Sequence, residues 1–292
     1  MLDSVRVAAV SIHSRPGKVT DNLGAIDQWC GKAAAQQAQL ILFPELSVCG
    51  FLPNHPTGDH ALWVRRALVH CRNVAEPLDG RSVTALTRTA KNHGIYISAG
   101  LLEDAGNLLF NTQVLVGPEG LVGSWRKMHI PMFEMPLYSG GDAPVVADTP
   151  LGRIGANICF DAFLPESTRL LAVQNVEIVL FPFAADPPPR TPEGWSQWAA
   201  ASLRCRCLEN GIFGVAANYV GDIEFVATRQ QFPGGGMVLG PRGDTIAQWP
   251  EKEARPCMLL ADLARDTLLA ARAEPEYLFR FRRPELYGPL TR

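Results

Sequence analysis

Charge asymmetry and long apolar runs are both missing from this chain of 292 residues. Its 27 Lys and Arg residues nearly balance 29 Asp and Glu residues, which gives a formal net charge of −2. A nearly neutral chain lacks the basic surface by which proteins attract nucleic acid or an anionic membrane. No apolar stretch approaches the ~18–20 residues that a membrane-spanning helix needs. We therefore expect neither nucleic acid nor a membrane as partner.

The sequence also lacks an export signal and a disulfide framework. The N-terminal segment MLDSVRVAAVSIHS begins with an acidic residue and alternates polar with apolar positions, whereas a signal peptide has a basic start and a continuous apolar run. This segment predicts a β-strand. The seven cysteines are odd in number, which favours reduced thiols over disulfide pairs. These features predict a cytoplasmic protein.

Metal-binding spacing is missing as well. Cys205 and Cys207 are separated by one residue, which is tighter than the usual gap of a zinc site, and no pair of histidines lies near them in sequence. We expect these two cysteines to pack on a helix. The sequence therefore predicts no metal site.

Strand-like and helix-like segments alternate along the chain. The strand-like runs are Val5–Ile12, Leu40–Phe43, Ile95–Ala99, Thr112–Val116, Leu121–Trp125, Ile154–Phe160, Glu177–Phe181, Ile212–Asn218, Met237–Leu239, Thr245–Trp249 and Cys257–Ala261. One helix is predicted to begin near Asp21, and others span Ser82–His93, Pro165–Asn175 and Trp195–Asn210. Strands that alternate with helices indicate a layered α/β fold.

Two predicted hairpins are near copies of each other. Val114–Val122 turns at Pro-Glu-Gly, and Met237–Thr245 turns at Pro-Arg-Gly. Each follows a strand–helix–strand–helix–strand run, which indicates an internal repeat. No linker separates the two halves. We therefore expect two similar sheets that face each other within one domain, residues 1–292.

Two segments are too long to be plain connections between elements. Residues Cys49–Asp59 follow one strand-like run, and Ala184–Glu193 follow another. Because α/β proteins place their sites in loops at the carboxyl ends of strands, we expect substrate-contacting residues here. The candidates are Phe51, Phe183, Arg190 and Trp195. Arg190 could pair with a substrate carboxylate, although a solvent-facing role is the alternative.

Three reactive side chains stand at the ends of apolar runs: Glu45, Lys127 and Cys159. A cysteine at a strand-to-helix junction can gain thiolate character from helical N–H groups and a nearby cation. A carboxylate can accept the thiol proton and later return it to a leaving amine. A lysine can stabilise a tetrahedral oxyanion. Together these residue types are sufficient for acyl transfer without a histidine.

The segments around these residues resemble the three catalytic motifs of the nitrilase superfamily of carbon–nitrogen hydrolases. They are Phe43–Phe51 (FPELSVCGF), Arg126–Ile130 (RKMHI) and Gly155–Glu166 (GANICFDAFLPE). The motifs occur in the family's order, and the resemblance extends over nearly the whole chain. It implies an αββα sandwich of two mixed β-sheets with an internal pseudo-two-fold repeat.

The resemblance also implies roles for individual residues. Glu45 would be the general base, Cys159 the nucleophile and Lys127 the oxyanion donor, with the backbone N–H of Phe160 completing the oxyanion hole. Glu134 stands where many members carry a second glutamate, which would orient Lys127 or the substrate nitrogen. We expect Asp161 to hold the loop after the nucleophile.

Residues after the nucleophile bear on the reaction. Cys159-Phe-Asp and Leu164-Pro-Glu are closer to amidase-like and carbamoylase-like members than to nitrile-cleaving members, which typically show Cys-Trp-Glu. We therefore expect hydrolysis of a small amide or N-carbamoyl compound through a cysteine thioester, with no metal or organic cofactor. A nitrilase is one alternative, and a catalytically silent scaffold of the same fold is another.

The resemblance implies a homodimer or a larger homo-oligomer. The C-terminal segment 265–292 ends in FRFRRPELYGPLTR, which combines aromatic with charged residues. Interfaces between subunits are enriched in aromatic residues and Arg. We therefore expect this tail to lie at the oligomer interface; an unstructured basic end is the alternative.

Overall fold

The computed structural model describes residues 1–54, 58–249 and 254–291, so that part of the predicted loop Cys49–Asp59 lies outside the described residues. The helices are α1 (Val19–Ala35), α2 (His60–Val74), α3 (Arg81–His93), α4 (Pro165–Ala172), α5 (Pro192–Asn210) and α6 (Arg265–Ala273). Within these ranges, no helix combines the length and the apolar character that a membrane span requires.

The strands fall into two large sheets and one small hairpin. They are β1 (Ser4–Ser11), β2 (Leu40–Leu42), β3 (Tyr96–Asp104), β4 (Leu109–Gly117), β5 (Gly120–Arg126), β6 (Ala147–Thr149), β7 (Gly152–Ala156), β8 (Ile178–Phe183), β9 (Phe213–Asn218), β10 (Val220–Phe225), β11 (Thr228–Pro233), β12 (Gly236–Leu239), β13 (Thr245–Gln248) and β14 (Cys257–Ala264). One six-stranded sheet has the order β14-β1-β2-β3-β4-β5, and the other has the order β13-β12-β9-β8-β7-β6.

The two sheets repeat one pairing scheme. In the first, β1, β2 and β3 are parallel, and β4 and β5 follow as antiparallel neighbours. In the second, β7, β8 and β9 are parallel, and β12 and β13 follow in the same way. An antiparallel edge strand completes each sheet: β14 pairs with β1 in the first, and β6 pairs with β7 in the second. The predicted internal repeat is confirmed.

The sheets face each other across a shared apolar core. Inward-facing side chains of both sheets are fully buried together, among them Val7, Leu42, Ile154 and Val215. Helices α1 and α3 pack on the first half, and α4 and α5 pack on the second. Because each sheet has one face on its partner and one face under helices, the architecture has four layers. The predicted αββα sandwich is confirmed.

Helix α2 was not predicted, although its sequence carries a start signal. The Asp59 side chain caps the helix by accepting a hydrogen bond of 2.9 Å from the Leu62 N–H. Its buried residues Trp63, Ala67 and Cys71 recur every four positions, which is a helical period. The charged residues between them obscure this pattern.

The hairpin β10–β11 was also missed. It interrupts the second half between β9 and β12, at a place where the first half has no strands. Its turn is formed by Val226 and Ala227, which have φ angles of 47° and 59°. Because such angles are unusual for residues other than Gly, Asn and Asp, the sequence gives no turn signal.

Two predicted boundaries differ from the structure. Strand β7 ends at Ala156, whereas the apolar run predicts a strand to Phe160. The beginning of the predicted C-terminal tail folds as α6, whose Leu268 and Ala271 are buried. Residues 278–291 form three short 3-10 turns without a buried side chain.

We predict that Gly100→Ala destabilises the protein where the first sheet supports Glu45. A Cβ at Gly100 of β3 would lie 2.2 Å from the Leu46 backbone nitrogen and 3.0 Å from the Glu45 carbonyl carbon. Overpacking of this kind costs about 1–3 kcal/mol of unfolding free energy, measurable by urea denaturation. Gly24→Ala in α1 is the control, because nothing lies within 4 Å of its added Cβ. Equal stability of the two variants would contradict this prediction.

Candidate active site

Glu45, Lys127 and Glu134 form one buried ion-pair cluster. The Lys127 Nζ lies 2.7 Å from Glu45 Oε1 and 2.8 Å from Glu134 Oε2. All three residues are almost completely excluded from solvent. A buried charge is tolerated where it is paired and hydrogen-bonded, and here one ammonium group joins two carboxylates. The structure thus brings together three of the four residues that the sequence assigns to catalysis.

Each member of the cluster follows a strand or lies in a turn beside one. Glu45 comes three residues after β2, and Lys127 directly follows β5. The Lys127 backbone N–H donates to the Asn111 carbonyl over 2.8 Å, which continues the pairing with β4 past the end of the strand. Glu134 lies in a short turn, and its own backbone N–H donates to the Pro131 carbonyl. The ends of strands in the first sheet therefore position the backbones of Glu45 and Lys127, and the turn positions that of Glu134.

The Glu45 carboxylate is held by two further donors that sequence reasoning did not identify. The Asn111 side-chain amide donates to Oε1 over 2.7 Å, and the Ala184 backbone N–H donates to Oε2 over 3.0 Å. Asn111 begins a run of three consecutive buried polar residues, Asn-Thr-Gln, inside the otherwise apolar strand β4. Such a run within a buried strand is a sequence signal that could have identified Asn111.

Cys159 begins a 3-10 turn, Cys159–Phe163, which follows β7. Its φ angle is 48°, a left-handed conformation that is uncommon for a residue with a side chain and that often marks functional sites. The residue is partly exposed, whereas five of the other cysteines are buried and Cys205 is exposed. Cys159 interacts electrostatically with Glu45, Lys127 and Glu134, which places it beside the ion-pair cluster.

Asp161 joins the cysteine turn to the lysine segment. Its carboxylate accepts hydrogen bonds from the backbone N–H groups of Met128 and His129, over 3.2 and 2.8 Å. The His129 ring nitrogen Nδ1 lies 2.8 Å from the same carboxylate. The Ile158 N–H donates to it from the other side, over 3.3 Å. Asp161 therefore fixes the distance between Lys127 and Cys159, in agreement with its expected structural role.

The backbone N–H of Phe160 lies in the first turn of the 3-10 helix, where N–H groups have no acceptor inside the helix. The C-terminal end of the same turn is held by Arg206 of α5, whose guanidinium group donates to the carbonyls of Ala162 and Phe163 over 3.2 and 3.3 Å. The turn is thus anchored at its end, while an N–H group beside Cys159 stays available for a ligand.

Burial and the charges of the cluster both act on the pKa of the Cys159 thiol. Burial raises the pKa of Cys159 well above its usual value, and the negative charge of Glu45 raises this pKa further. Lys127 acts in the opposite direction but does not reverse the shift. The thiolate character expected from the sequence stays a prediction: in the free protein, burial and the two carboxylates together outweigh the ammonium group.

Glu134 and Lys127 are shifted in ways that depend on each other. Burial raises the pKa of Glu134 to about 7, although the positive charge of Lys127 acts to lower it. Burial alone would lower the pKa of Lys127, but the charges of Glu134 and Glu45 raise it above its ordinary value. Lys127 therefore stays a cation at neutral pH, while Glu134 titrates there.

The four candidate substrate contacts lie in different environments. Phe51 is buried against Phe232, with ring centroids 5.6 Å apart. Phe183 and Trp195 are fully buried and pack edge-to-face, also at 5.6 Å. Arg190 is exposed, and its Nε lies 3.0 Å from Asp186 Oδ2. That these residues contact substrate stays a prediction.

Across residues 1–54, 58–249 and 254–291, no group of three or more His, Cys, Asp and Glu side chains is arranged to hold a metal ion. The cation that the two carboxylates share is Lys127.

A thiol beside a paired carboxylate and a fixed ammonium group supplies the chemical groups that acyl transfer through a cysteine requires. A sequence profile described as carbon–nitrogen hydrolase matches residues 6–273, and the chain belongs to this family. It is a hydrolase that acts on carbon–nitrogen bonds other than peptide bonds.

The chain is similar to several characterised relatives. It is 28% identical to a nitrilase from Pyrococcus abyssi over 85% of this chain and 86% of the relative. It is also 28% identical to an (R)-stereoselective amidase from a Pseudomonas species, over 98% of this chain and 94% of the relative. The structure superimposes on a carbon–nitrogen hydrolase from Helicobacter pylori with a TM-score of 0.80, at 21% identity and over 99% and 98% of the two chains.

We predict that Glu45→Gln makes Cys159 more acidic. The variant removes a negative charge that raises the pKa of Cys159 and leaves Lys127, which lowers it. Alkylation by iodoacetamide at pH 7 should accelerate by roughly three- to fourfold for each unit that the pKa falls, because a larger thiolate fraction is partly offset by a less nucleophilic thiolate. Peptide mass spectrometry measures the rate at Cys159, with the exposed Cys205 in the same sample as an internal control. Slower alkylation of Cys159 in the variant would contradict the assigned electrostatics.

Proposed function

We propose that the protein hydrolyses the carbon–nitrogen bond of a small amide or N-carbamoyl compound through a thioester on Cys159. The observation that carries this proposal is the Glu45–Lys127–Glu134 cluster beside the strained cysteine turn. The pair of Glu45 and Cys159 supplies a base and a nucleophile, and Lys127 supplies a fixed positive charge. The proposal uses no metal ion and no organic cofactor.

In the first step, the Cys159 sulfur attacks the substrate carbonyl carbon while its proton passes to Glu45. Because the thiol is protonated in the free protein, this proton transfer accompanies the attack. The C–N bond of the tetrahedral intermediate then breaks, and the leaving nitrogen takes the proton from Glu45. Ammonia or an amine departs, and the acyl group stays on sulfur as a thioester.

The oxyanion of the intermediate is stabilised by Lys127 Nζ and by the Phe160 backbone N–H. Lys127 suits this role because its ammonium group is buried and fixed by two carboxylates, so that no reorganisation is needed during the reaction. Charge-assisted hydrogen bonds of this kind are stronger in a site that excludes water. Glu134 holds Lys127 and supplies a carboxylate that can accept an N–H of the substrate.

In the second step, water attacks the thioester carbonyl and gives its proton to Glu45. The C–S bond breaks, and the sulfur of Cys159 recovers that proton as the carboxylic acid product forms. Glu45 can act twice because Asn111 and Ala184 hold its carboxylate in one orientation throughout. The cycle ends with thiol and carboxylate restored.

Amide chemistry is favoured over nitrile chemistry by two observations. The Pseudomonas relative, which aligns with 98% of the chain, is named an amidase. Glu134 adds a carboxylate that can accept the N–H of an amide nitrogen, whereas a nitrile nitrogen carries no hydrogen. The second candidate is a nitrilase, which the Pyrococcus relative of equal identity supports.

The location and assembly of the enzyme follow as further proposals. All seven cysteines lie within the described residues and no disulfide joins them, which suits a reducing compartment such as the cytoplasm. The C-terminal 3-10 turns expose large apolar side chains, which suits burial against a second subunit, and we propose a homodimer or larger homo-oligomer in which this tail contributes to the interface. The exposed side chains are Leu278, Phe281, Leu286 and Leu290.

We expect ammonia release from a panel of primary amides and N-carbamoyl compounds, and less or none from the matching nitriles. Cys159→Ala should lower turnover by on the order of 10³-fold or more, because the thioester cannot form. Cys205→Ala is the matched control, since this cysteine is exposed on α5. Full turnover by Cys159→Ala, or a preference for nitriles over amides, would overturn the corresponding part of the proposal.

The variant Glu45→Gln should distinguish the role of the general base from that of the nucleophile. The variant should lose about 10²–10⁴-fold in amide hydrolysis, since its proton acceptor is gone. Its Cys159 should still be alkylated, because iodoacetamide needs no proton for its leaving group. Loss of both hydrolysis and alkylation would show that Glu45 only supports the fold around the cysteine.

A further inference from the structure

Glu103 of β3 is a buried carboxylate outside the ion-pair cluster, and two side chains donate to it. The Arg126 guanidinium group binds it twice, from Nε to Oε2 over 2.9 Å and from Nη2 to Oε1 over 2.5 Å. The Thr112 hydroxyl donates to Oε2 over 2.7 Å. Only 3% of Glu103 is exposed to solvent. Because a bidentate pair with an arginine has one preferred geometry, Glu103 fixes the orientation of both donors.

The negative charge of Glu103 is present at neutral pH. Burial raises the pKa of this carboxyl group, but the hydrogen bonds from Arg126 and Thr112 outweigh burial and hold the pKa below its usual value. The guanidinium carbon of Arg126 also lies 3.9 Å from the centroid of the Phe110 ring. Arg126 is therefore held on two sides, by a carboxylate and by an aromatic ring.

The two residues that Glu103 holds lie opposite each other in the first sheet. Thr112 of β4 pairs with Arg126 of β5. The next pair along the two chains is Asn111 and Lys127, because the Lys127 N–H donates to the Asn111 carbonyl over 2.8 Å. Side chains of successive strand residues point to opposite faces. Asn111 and Lys127 therefore face away from Glu103, although each is bonded in sequence to a residue that Glu103 holds.

Both members of this next pair bind one oxygen of the ion-pair cluster. Asn111 Nδ2 and Lys127 Nζ each lie 2.7 Å from Glu45 Oε1. Two carboxylates on opposite faces of the sheet thus hold two successive residue pairs at the ends of β4 and β5. A shift of these strand ends would move Asn111 and Lys127 together with respect to Glu45.

We propose that Glu103 is a positioning residue for Lys127, acting through Thr112 and Arg126. It holds the ends of β4 and β5 together, and their alignment places the Lys127 ammonium group against Glu45. The Glu103 carboxylate itself faces away from the reacting groups. This inference rests on the proposed function, in which Lys127 stabilises the oxyanion.

Glu76 offers a matched control. Its carboxylate also accepts three hydrogen bonds: from Arg81 Nε over 2.8 Å, from the Ser82 N–H over 2.9 Å and from the Ser82 hydroxyl over 3.0 Å. Arg81 and Ser82 belong to the first turn of α3 and not to β4 or β5. Loss of the charge of Glu76 therefore removes similar contacts at a place that is not bonded to the lysine segment.

The first measurement compares turnover by Glu103→Gln and Glu76→Gln. In Glu103→Gln, kcat for amide hydrolysis should fall about 10–10²-fold while KM changes by less than about twofold, because Lys127 acts on the oxyanion and not on the bound amide. Both variants are assayed at a temperature where circular dichroism shows them folded. Glu76→Gln should keep the kcat of the wild type.

Thr112→Val keeps the test valid if Glu103→Gln does not fold. Valine has nearly the shape of threonine, but it cannot donate to Glu103. The arginine contact remains in this variant, so kcat should fall in the same direction by a smaller factor than in Glu103→Gln. Again KM should change by less than about twofold.

A second readout does not need turnover. Lys127 lowers the pKa of the Cys159 thiol, so that displacement of its ammonium group should raise this pKa. Alkylation of Cys159 by iodoacetamide at pH 7 should then slow by roughly threefold for each unit. Loss of the negative charge of Glu103 would by itself act in the opposite direction, since an anion disfavours the thiolate. Slower alkylation in Glu103→Gln therefore reports the position of Lys127.

The outcomes separate this inference from the proposed function. Lower kcat at unchanged KM together with slower alkylation in Glu103→Gln, and neither change in Glu76→Gln, supports the positioning role. A wild-type alkylation rate in folded Glu103→Gln would overturn it, and so would equal losses in the two glutamate variants. If the wild type hydrolyses no amide, carbamoyl compound or nitrile, the proposed function fails, and the alkylation rates alone decide the role of Glu103.

Discussion

The buried ammonium group of Lys127 between two carboxylates is the interaction on which the rest of the site depends. One positive charge faces Glu45 and Glu134, so the cluster keeps an excess of negative charge in a place without water. Burial raises the pKa values of Glu134 and Cys159, and the negative charge of Glu45 raises both further. Removing Lys127 would leave two buried carboxylates unpaired, which proteins tolerate poorly. The contacts of Lys127 with Glu45 and Glu134 therefore determine both the charge of the site and its reactivity.

The repeated topology explains why these residues can meet. Glu45 follows β2 of the first sheet, and Cys159 follows β7 of the second. Since the two sheets pack face to face with equivalent parallel strands, the ends of these strands come to one side of the sandwich. Asp161 bridges the halves by binding the backbone next to Lys127. A site shared by two half-folds thus needs both sheets to be in place.

The sequence predicted the parts of the fold that recur along the chain and the part of the site that several motifs mark together. It missed elements and contacts that depend on a single pair of residues far apart in sequence. The alternation of strands and helices, the two similar hairpins and the resemblance around Glu45, Lys127 and Cys159 led to the correct architecture. Helix α2 and hairpin β10–β11 were missed, because neither has a clean apolar period or a glycine turn. The buried polar run in β4 marks Asn111, but its partner Glu45 lies 66 residues away, and no local pattern identifies that partner.

The protonated state of Cys159 has a consequence for the lifetime of the enzyme. Peroxides and other oxidants attack the thiolate far more readily than the thiol. Burial and the neighbouring carboxylates raise the pKa of Cys159. The same surroundings therefore lower the reactivity of this thiol toward oxidants in the free protein.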